Sequence, residues 1–217
     1  MKYIKKGDSP AKFEQWKIDF KDRTGREPVY LDLKGSIKRD LKETLLKEQG
    51  YICCYCMCRI AAYDSHIEHF IARSEAKDRP YSVVVQDAEL GYENLLLSCE
   101  GEEGDGKHCG RFKDNAVHEM LLSPTVPSVE SDFQYTANGE INGLSPEAMT
   151  SVRVLNLSSY DLNRHRRTAI FMSGLFEPDA DYDFLIEKFR VPEDGMYAPF
   201  CQAILYVLET LKRGEIE

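Results

Sequence analysis

Residues 66–69 read "HIEH", and "FIAR" follows directly. Two imidazoles and a carboxylate within four residues suit a solvated turn, a zinc site or a hydrolytic centre, in which neutral imidazole takes a proton from water while a carboxylate holds a cation. Around them stand cysteines: Cys53 and Cys56 form a C-x-x-C pair, and Cys99 and Cys109 form a second, looser pair. Four thiolates so spaced suit a tetrahedral structural zinc, because two short-range pairs close one shell and staple distant parts of a small domain. Cys54 and Cys58 offer competing registers, and reduced core thiols are the plainer alternative. A closed four-thiolate shell has no open position for water, so chemistry must come from residues between the pairs.

Several elements must position these groups. In "GSIKRDLKETLLKEQG", Ile37, Leu41 and Leu45 recur every fourth residue, which predicts an amphipathic helix with Ser36 as its cap and Gly50 as its left-handed exit. "YICCYCMCRI" has no helical period and reads as a metal knuckle followed by a short strand, and "HIEHF" reads as a strand entering a polar loop. Residues "GRFKDNAVHEMLL" predict a helix stopped by Pro124, then "TVPSVESD" has linker composition. "FQYTANGEI" alternates around Asn138-Gly139, a strong hairpin signal. The rest reads as helical, with a serine-capped segment through Leu162, Ala169 and Ile170 and a last helix carrying Phe200, Ile204, Leu208 and Leu211 on one stripe.

The 217 residues suffice for one substantial core or a few small modules sharing one. No signal-like apolar run follows the first lysines and no membrane-length apolar stretch occurs, so a cytoplasmic protein without a membrane association is expected. In that compartment seven cysteines read as ligands or free thiols rather than disulfides, with Cys201 a buried thiol. The net charge of −9 is uneven: residues 1–50 carry 13 Lys/Arg against 9 Asp/Glu, the remaining 167 carry 15 against 28. An acidic body repels a polyanion, so a nucleic-acid substrate would need the basic N-terminal part, a local patch or a partner to attract it. "GEEGDGK" imitates the start of a phosphate-binding loop, but His108 stands where Ser or Thr is required and three acids would repel phosphate.

Together, "CCYC", "HIEHF", "GYENLLLSC" and "HCGRFK" resemble an HNH endonuclease of the ββα-metal type framed by four zinc cysteines. Their order, with "MKYIKKGDSP" and "VLNLSSYDLNRHR", is similar to the HNH subunit of Septu-type anti-phage systems, which also accompanies some retrons. The resemblance covers most of the chain and is most specific over residues 50–120. It implies an α+β fold: a zinc-stapled ββα-metal core at 50–123, a basic arm and helix at 1–49, and a linker, hairpin and helical region at 124–217. It further implies His69 as general base, Glu68 as acidic ligand of a catalytic Mg²⁺ or Mn²⁺, and Asn94 bonding the backbone of the loop that bears the base. Cys53, Cys56, Cys99 and Cys109 match its zinc ligands. An ATPase partner subunit is implied as well, and a retron is a further associate in that group; the C-terminal helices, which the nuclease core does not need, are the candidate docking surface.

The family's last ligand usually lies just after the fourth cysteine, where this chain has Gly110. If a helix begins there, Asp114 projects from the same face and is the first substitute, with His108, Asn115 and His118 as alternatives. His66 suits packing or substrate contact. Arg73, Lys77 and Lys113 suit phosphate contacts, though solvated charges fit equally. The reaction expected is hydrolysis of a phosphodiester, DNA being favoured and RNA open, because no base-reading motif is present. Two rivals are a non-catalytic zinc-binding interaction subunit and a regulatory subunit with a degenerate site.

Overall fold

The computed structural model describes residues 1–72, 89–101, 107–114 and 120–214. Arg73, Lys77, Asn115, His118 and the middle of the glycine-rich loop lie outside the described residues. The fold is mixed α/β. Helices α1 (Ala11–Thr24) and α2 (Gly35–Glu48) precede strand β1 (Ser65–His69), strand β2 (Leu95–Cys99) and a single helical turn α3 (Gly110–Lys113). A hairpin of β3 (Phe133–Tyr135) and β4 (Ile141–Gly143) leads to α4 (Pro146–Val154), α5 (Tyr160–Phe171), α6 (Tyr182–Arg190) and α7 (Cys201–Lys212). No helix among the described residues is long and apolar enough to cross a membrane.

Strands β1 and β2 pair antiparallel, with Ser65 opposite Cys99 and His69 opposite Leu95. One end of this ribbon therefore meets the cysteines and the other carries the candidate base, four residues or about 13 Å away. The outer edge of β2 is closed by a side chain: Gln49, buried just past α2, accepts from Leu97 N at 2.7 Å and donates to Leu97 O at 2.9 Å. An amide side chain thereby does what a third strand would do, satisfying a buried backbone unit.

Helix α2 begins at Gly35 with Lys34 as its cap, so Ser36 lies inside the first turn and makes no cap. Gly50 does take the left-handed exit, at φ 58°. Helices α1 and α2 bury Phe13, Phe20, Leu41 and Leu45, and most of these residues join one core with the knuckle, β2 and α7. The presumed linker is also packed: residues Pro127–Asp132 form a 3₁₀ turn in which Val129 is fully buried, and Tyr3 N donates to Glu130 Oε1 at 3.0 Å. Val129 is what the polar composition around it concealed.

The hairpin forms as its turn residues require. Gly139 has φ 81°, and a Cβ there would fall 2.1 Å from Asn163 O on α5, so glycine is needed for both conformation and space. Ser159 caps α5 by accepting from Leu162 N at 3.4 Å. Helix α7 is packed into the core along one face. Its residues Cys201, Ala203, Val207 and Leu208 are fully buried, and the Phe200 amide before it donates to Met57 O in the knuckle at 2.9 Å. Burial pushes the Cys201 thiol up to about 11. Native protein at pH 8 is therefore expected to leave Cys201 unmodified by a thiol reagent for as long as it stays folded, and mass mapping of alkylated peptides checks this.

Candidate active site and metal centre

The candidate metal centre is built by three turns. Cys53 and Cys56 lie in the knuckle after α2, Cys99 ends β2, and Cys109 opens α3. Their four sulfur atoms lie within 4.8 Å of one another, and all four residues are buried. Cys56 Sγ and Cys99 Sγ are 3.8 Å apart, and a tetrahedron with metal–sulfur bonds of about 2.3 Å has edges of roughly that length. The Cys99 amide points at Cys53 Sγ at 3.3 Å, as thiolate ligands commonly attract backbone donors. Burial raises the Cys53 thiol, yet its hydrogen bonds with Cys109, Cys54 and Cys56 outweigh that and hold it well below its ordinary value; the Cys109 thiol is pushed well above. So many thiols this close cannot all ionise without a cation to bind them. Cys58 lies beside the group and its thiol is raised by Cys53, Cys56 and Cys99, while Cys54 falls outside the four. Soft sulfur donors in a tetrahedral set fit zinc.

His108 is drawn to this centre rather than to the cleft, its Nδ1 lying 3.2 Å from Cys109 Sγ and 3.7 Å from Cys99 Sγ. Cys109 has φ 57° and ψ −139°, a conformation that costs a non-glycine residue of order 1–3 kcal/mol. Its amide is fixed on Leu155 O at 2.8 Å, and the next amide, of Gly110, donates to Ser98 Oγ at 3.1 Å. The surroundings thus impose the turn that places α3 against β1.

Beside the cysteines, His66, Glu68, His69, Ala72, Lys107, Gly110, Arg111 and Asp114 line a cleft of about 430 Å³. Glu68 and His69 are the last two residues of β1, and the bend after the strand lets both reach the same cleft. Asn94 holds that bend. Its Oδ1 accepts from Ile71 N at 2.7 Å, its Nδ2 donates to Ile71 O at 3.0 Å, and its backbone carbonyl accepts from Phe70 N at 3.1 Å. Asn94→Ala removes both side-chain bonds, so melting is expected to fall by an amount equivalent to about 1–3 kcal/mol. The Asn94→Asp protein keeps the acceptor and should recover part of the loss in the same scan.

The His69 ring packs edge-on against Tyr30 with centroids 4.6 Å apart, and its Nε2 lies 3.0 Å from Glu89 O. A carbonyl only accepts, so Nε2 carries the proton and Nδ1 the lone pair. The Glu68 carboxylate is held by one oxygen: Oε1 accepts from Lys113 Nζ at 2.7 Å and from Tyr55 OH at 3.0 Å. Burial pushes this carboxyl up, but His66, Lys113 and Tyr55 outweigh it and hold it below its ordinary value, so it is a carboxylate at neutral pH. Oε2 faces His66 Nε2 at 3.6 Å.

Two positions differ from those expected of α3. Lys113 is buried, bonded to Glu68 and to His69 O at 2.8 Å, and does not stand at the surface where a phosphate would meet it. The helix expected from Gly110 is broken at Asp114, which takes φ 50° and ψ −129° and ends α3 after Lys113; residues 115–119 lie outside the described residues. Asp114 reaches the cleft from that break and not along a helical stripe. Arg111, at the mouth and paired with Glu100, and Lys107 are basic rim residues that the sequence reading passed over. The signal was present in "KHCGRFK", where basic residues flank the fourth cysteine.

No family model matches the chain. It is similar to a protein of Vibrio cholerae serotype O1 biovar El Tor named "Retron Vc95 putative HNH endonuclease", with 27% identity over 111 residues. The matched stretch is 51% of this chain and 50% of that protein, so the match spans about half the length of each.

Proposed function

We propose that this chain is a metal-dependent HNH-type endonuclease that hydrolyses phosphodiester bonds. One observation carries the reading: Glu68 and His69, adjacent at the end of β1, line a single cleft beside a four-cysteine cluster, with His69 Nε2 held 3.0 Å from Glu89 O and one Glu68 oxygen directed at a space bounded by His66 and Gly110. The similarity to a relative named as an HNH endonuclease supports it.

A divalent cation, Mg²⁺ or Mn²⁺, held by Glu68 would relieve charge on the phosphoryl oxygens and on the departing oxygen. The donor set fits such an ion, because a buried carboxylate oxygen and an imidazole nitrogen face one gap that glycine keeps open. His69 takes a proton from water as the water oxygen bonds to phosphorus and the bond to the sugar oxygen breaks. The Glu89 carbonyl steadies the imidazolium that results, and Asn94 keeps the bend that aims the ring. Lys107 and Arg111 at the rim contact the backbone phosphates, with DNA the first substrate and RNA the second.

The charge distribution supports delivery by a second protein. A net charge of −9 opposes approach of a polyanion, and an ATPase subunit of a Septu-type system, in some cases with a retron, would supply that attraction. One observation favours a different reading: Lys113 already places an ammonium on Glu68, as it would in a zinc-scaffolded binding subunit without catalysis. Plasmid DNA and total RNA incubated with the zinc-loaded protein in Mg²⁺ or Mn²⁺ decide between them. Cleavage abolished by a chelator too weak to strip the thiolate zinc supports the nuclease; binding without cleavage, with or without the partner, supports the other.

A further inference from the structure

This inference rests on the reading of Glu68 as a cation ligand and identifies its companion. We infer that His66 is the second protein ligand of the cleft cation and that Gly110 is glycine because His66 occupies the room a ligand after the fourth cysteine would need. A Cβ placed on Gly110 would fall 2.5 Å from Glu68 Oε2 and 2.6 Å from His66 Nε2. Both polar atoms therefore converge on the spot where a side chain at position 110 would begin. They are 3.6 Å apart, within the roughly 3–4 Å that separates two ligands of one small cation.

The rest of the cleft is arranged around that pair. Lys113 and Tyr55 engage Glu68 through Oε1 and leave Oε2 turned toward His66. His66 Nδ1 is buried and makes no hydrogen bond, and the nearest carboxylate oxygen, Glu100 Oε1, is 3.6 Å away. Small movement of Glu100 would let it accept the Nδ1 proton, the usual way a carboxylate orients a ligating imidazole and raises its basicity. Asp114, the residue expected from helical geometry, comes from a broken turn instead. One imidazole and one carboxylate favour Mn²⁺ over Mg²⁺ more than two oxygen donors would, because nitrogen ligands suit transition metals.

The test is Mn²⁺ binding to zinc-loaded protein, followed by titration with electron paramagnetic resonance, in wild type and in His66→Gln, Glu68→Gln, Asp114→Asn and Gly110→Ala variants. Zinc content and melting of each variant are read first, so a misfolded protein is recognised. His66→Gln is expected to weaken Mn²⁺ at least tenfold and to abolish the nitrogen coupling of a ligating imidazole in the pulsed spectrum. Gly110→Ala is expected to weaken it similarly by displacing both ligands. Unchanged Mn²⁺ affinity and retained nitrogen coupling in His66→Gln, with loss in Glu68→Gln or Asp114→Asn, would overturn the inference and leave Glu68 in place. Unchanged binding in all variants would overturn both. Should His66→Gln lose zinc, the nitrogen coupling of wild type against Gly110→Ala decides, and absence of any coupling in wild type rejects a His66 ligand.

Discussion

Replacing Cys99 or Cys109 by serine is expected to abolish the native fold rather than merely to lower its melting temperature. The four sulfurs come from the knuckle, the end of β2 and the start of α3, so the centre joins segments 56 residues apart in sequence. Structural zinc in small domains contributes apparent binding energies of about 10–16 kcal/mol, while a whole domain is stable by only about 5–15 kcal/mol. If zinc is lost together with either ligand, the energy lost is comparable to the whole stability of a domain. Cys109 carries a second burden, because its positive φ is tolerated only while the surroundings hold it. Metal analysis should find one zinc per wild-type chain and far less in either variant, and circular dichroism should show lost structure on treatment with a strong chelator. Full retention of melting and spectrum after complete zinc removal would reject the structural role.

His69→Ala should behave in the opposite way: cleavage lost, fold kept. The ring lies at the end of a strand, against Tyr30 and a carbonyl, and alanine removes packing worth a few kcal/mol at most without touching the cysteines. General-base catalysis contributes about 10²–10⁴-fold, so cleavage should fall by that factor while zinc content is unchanged. Glu68→Gln should also lose activity, with a stability cost because Lys113 would then lie buried without its carboxylate.

Much of this site is legible in the sequence for identifiable reasons. Cysteine spacing can be read directly, because thiolate chemistry restricts which partners form a four-sulfur group, and the structure gathers Cys53, Cys56, Cys99 and Cys109. The Asn138-Gly139 hairpin and the serine cap of α5 depend on local backbone preference, and both form as expected. The remainder depends on contacts between distant segments. Gly110 looks like a missing ligand in one dimension and only the approach of Glu68 and His66 shows why a side chain there is excluded. Lys113 looks like a surface charge until its ammonium is seen on Glu68, and Val129 hides among polar residues. The stripe expected to carry Asp114 failed because φ at that residue ends the helix. Gln49 substituting for a strand leaves no pattern at all in the sequence.

The most direct test of the hydrolytic assignment compares wild type, His69→Ala and Glu68→Gln at equal zinc content, in single-turnover cleavage of an end-labelled duplex and its RNA counterpart with Mn²⁺, both alone and with the proposed ATPase partner added. Wild type should cut at least one substrate, and both variants should fall by two orders of magnitude or more. Equal cutting by all three proteins, or none by wild type under any of these conditions, would contradict the account.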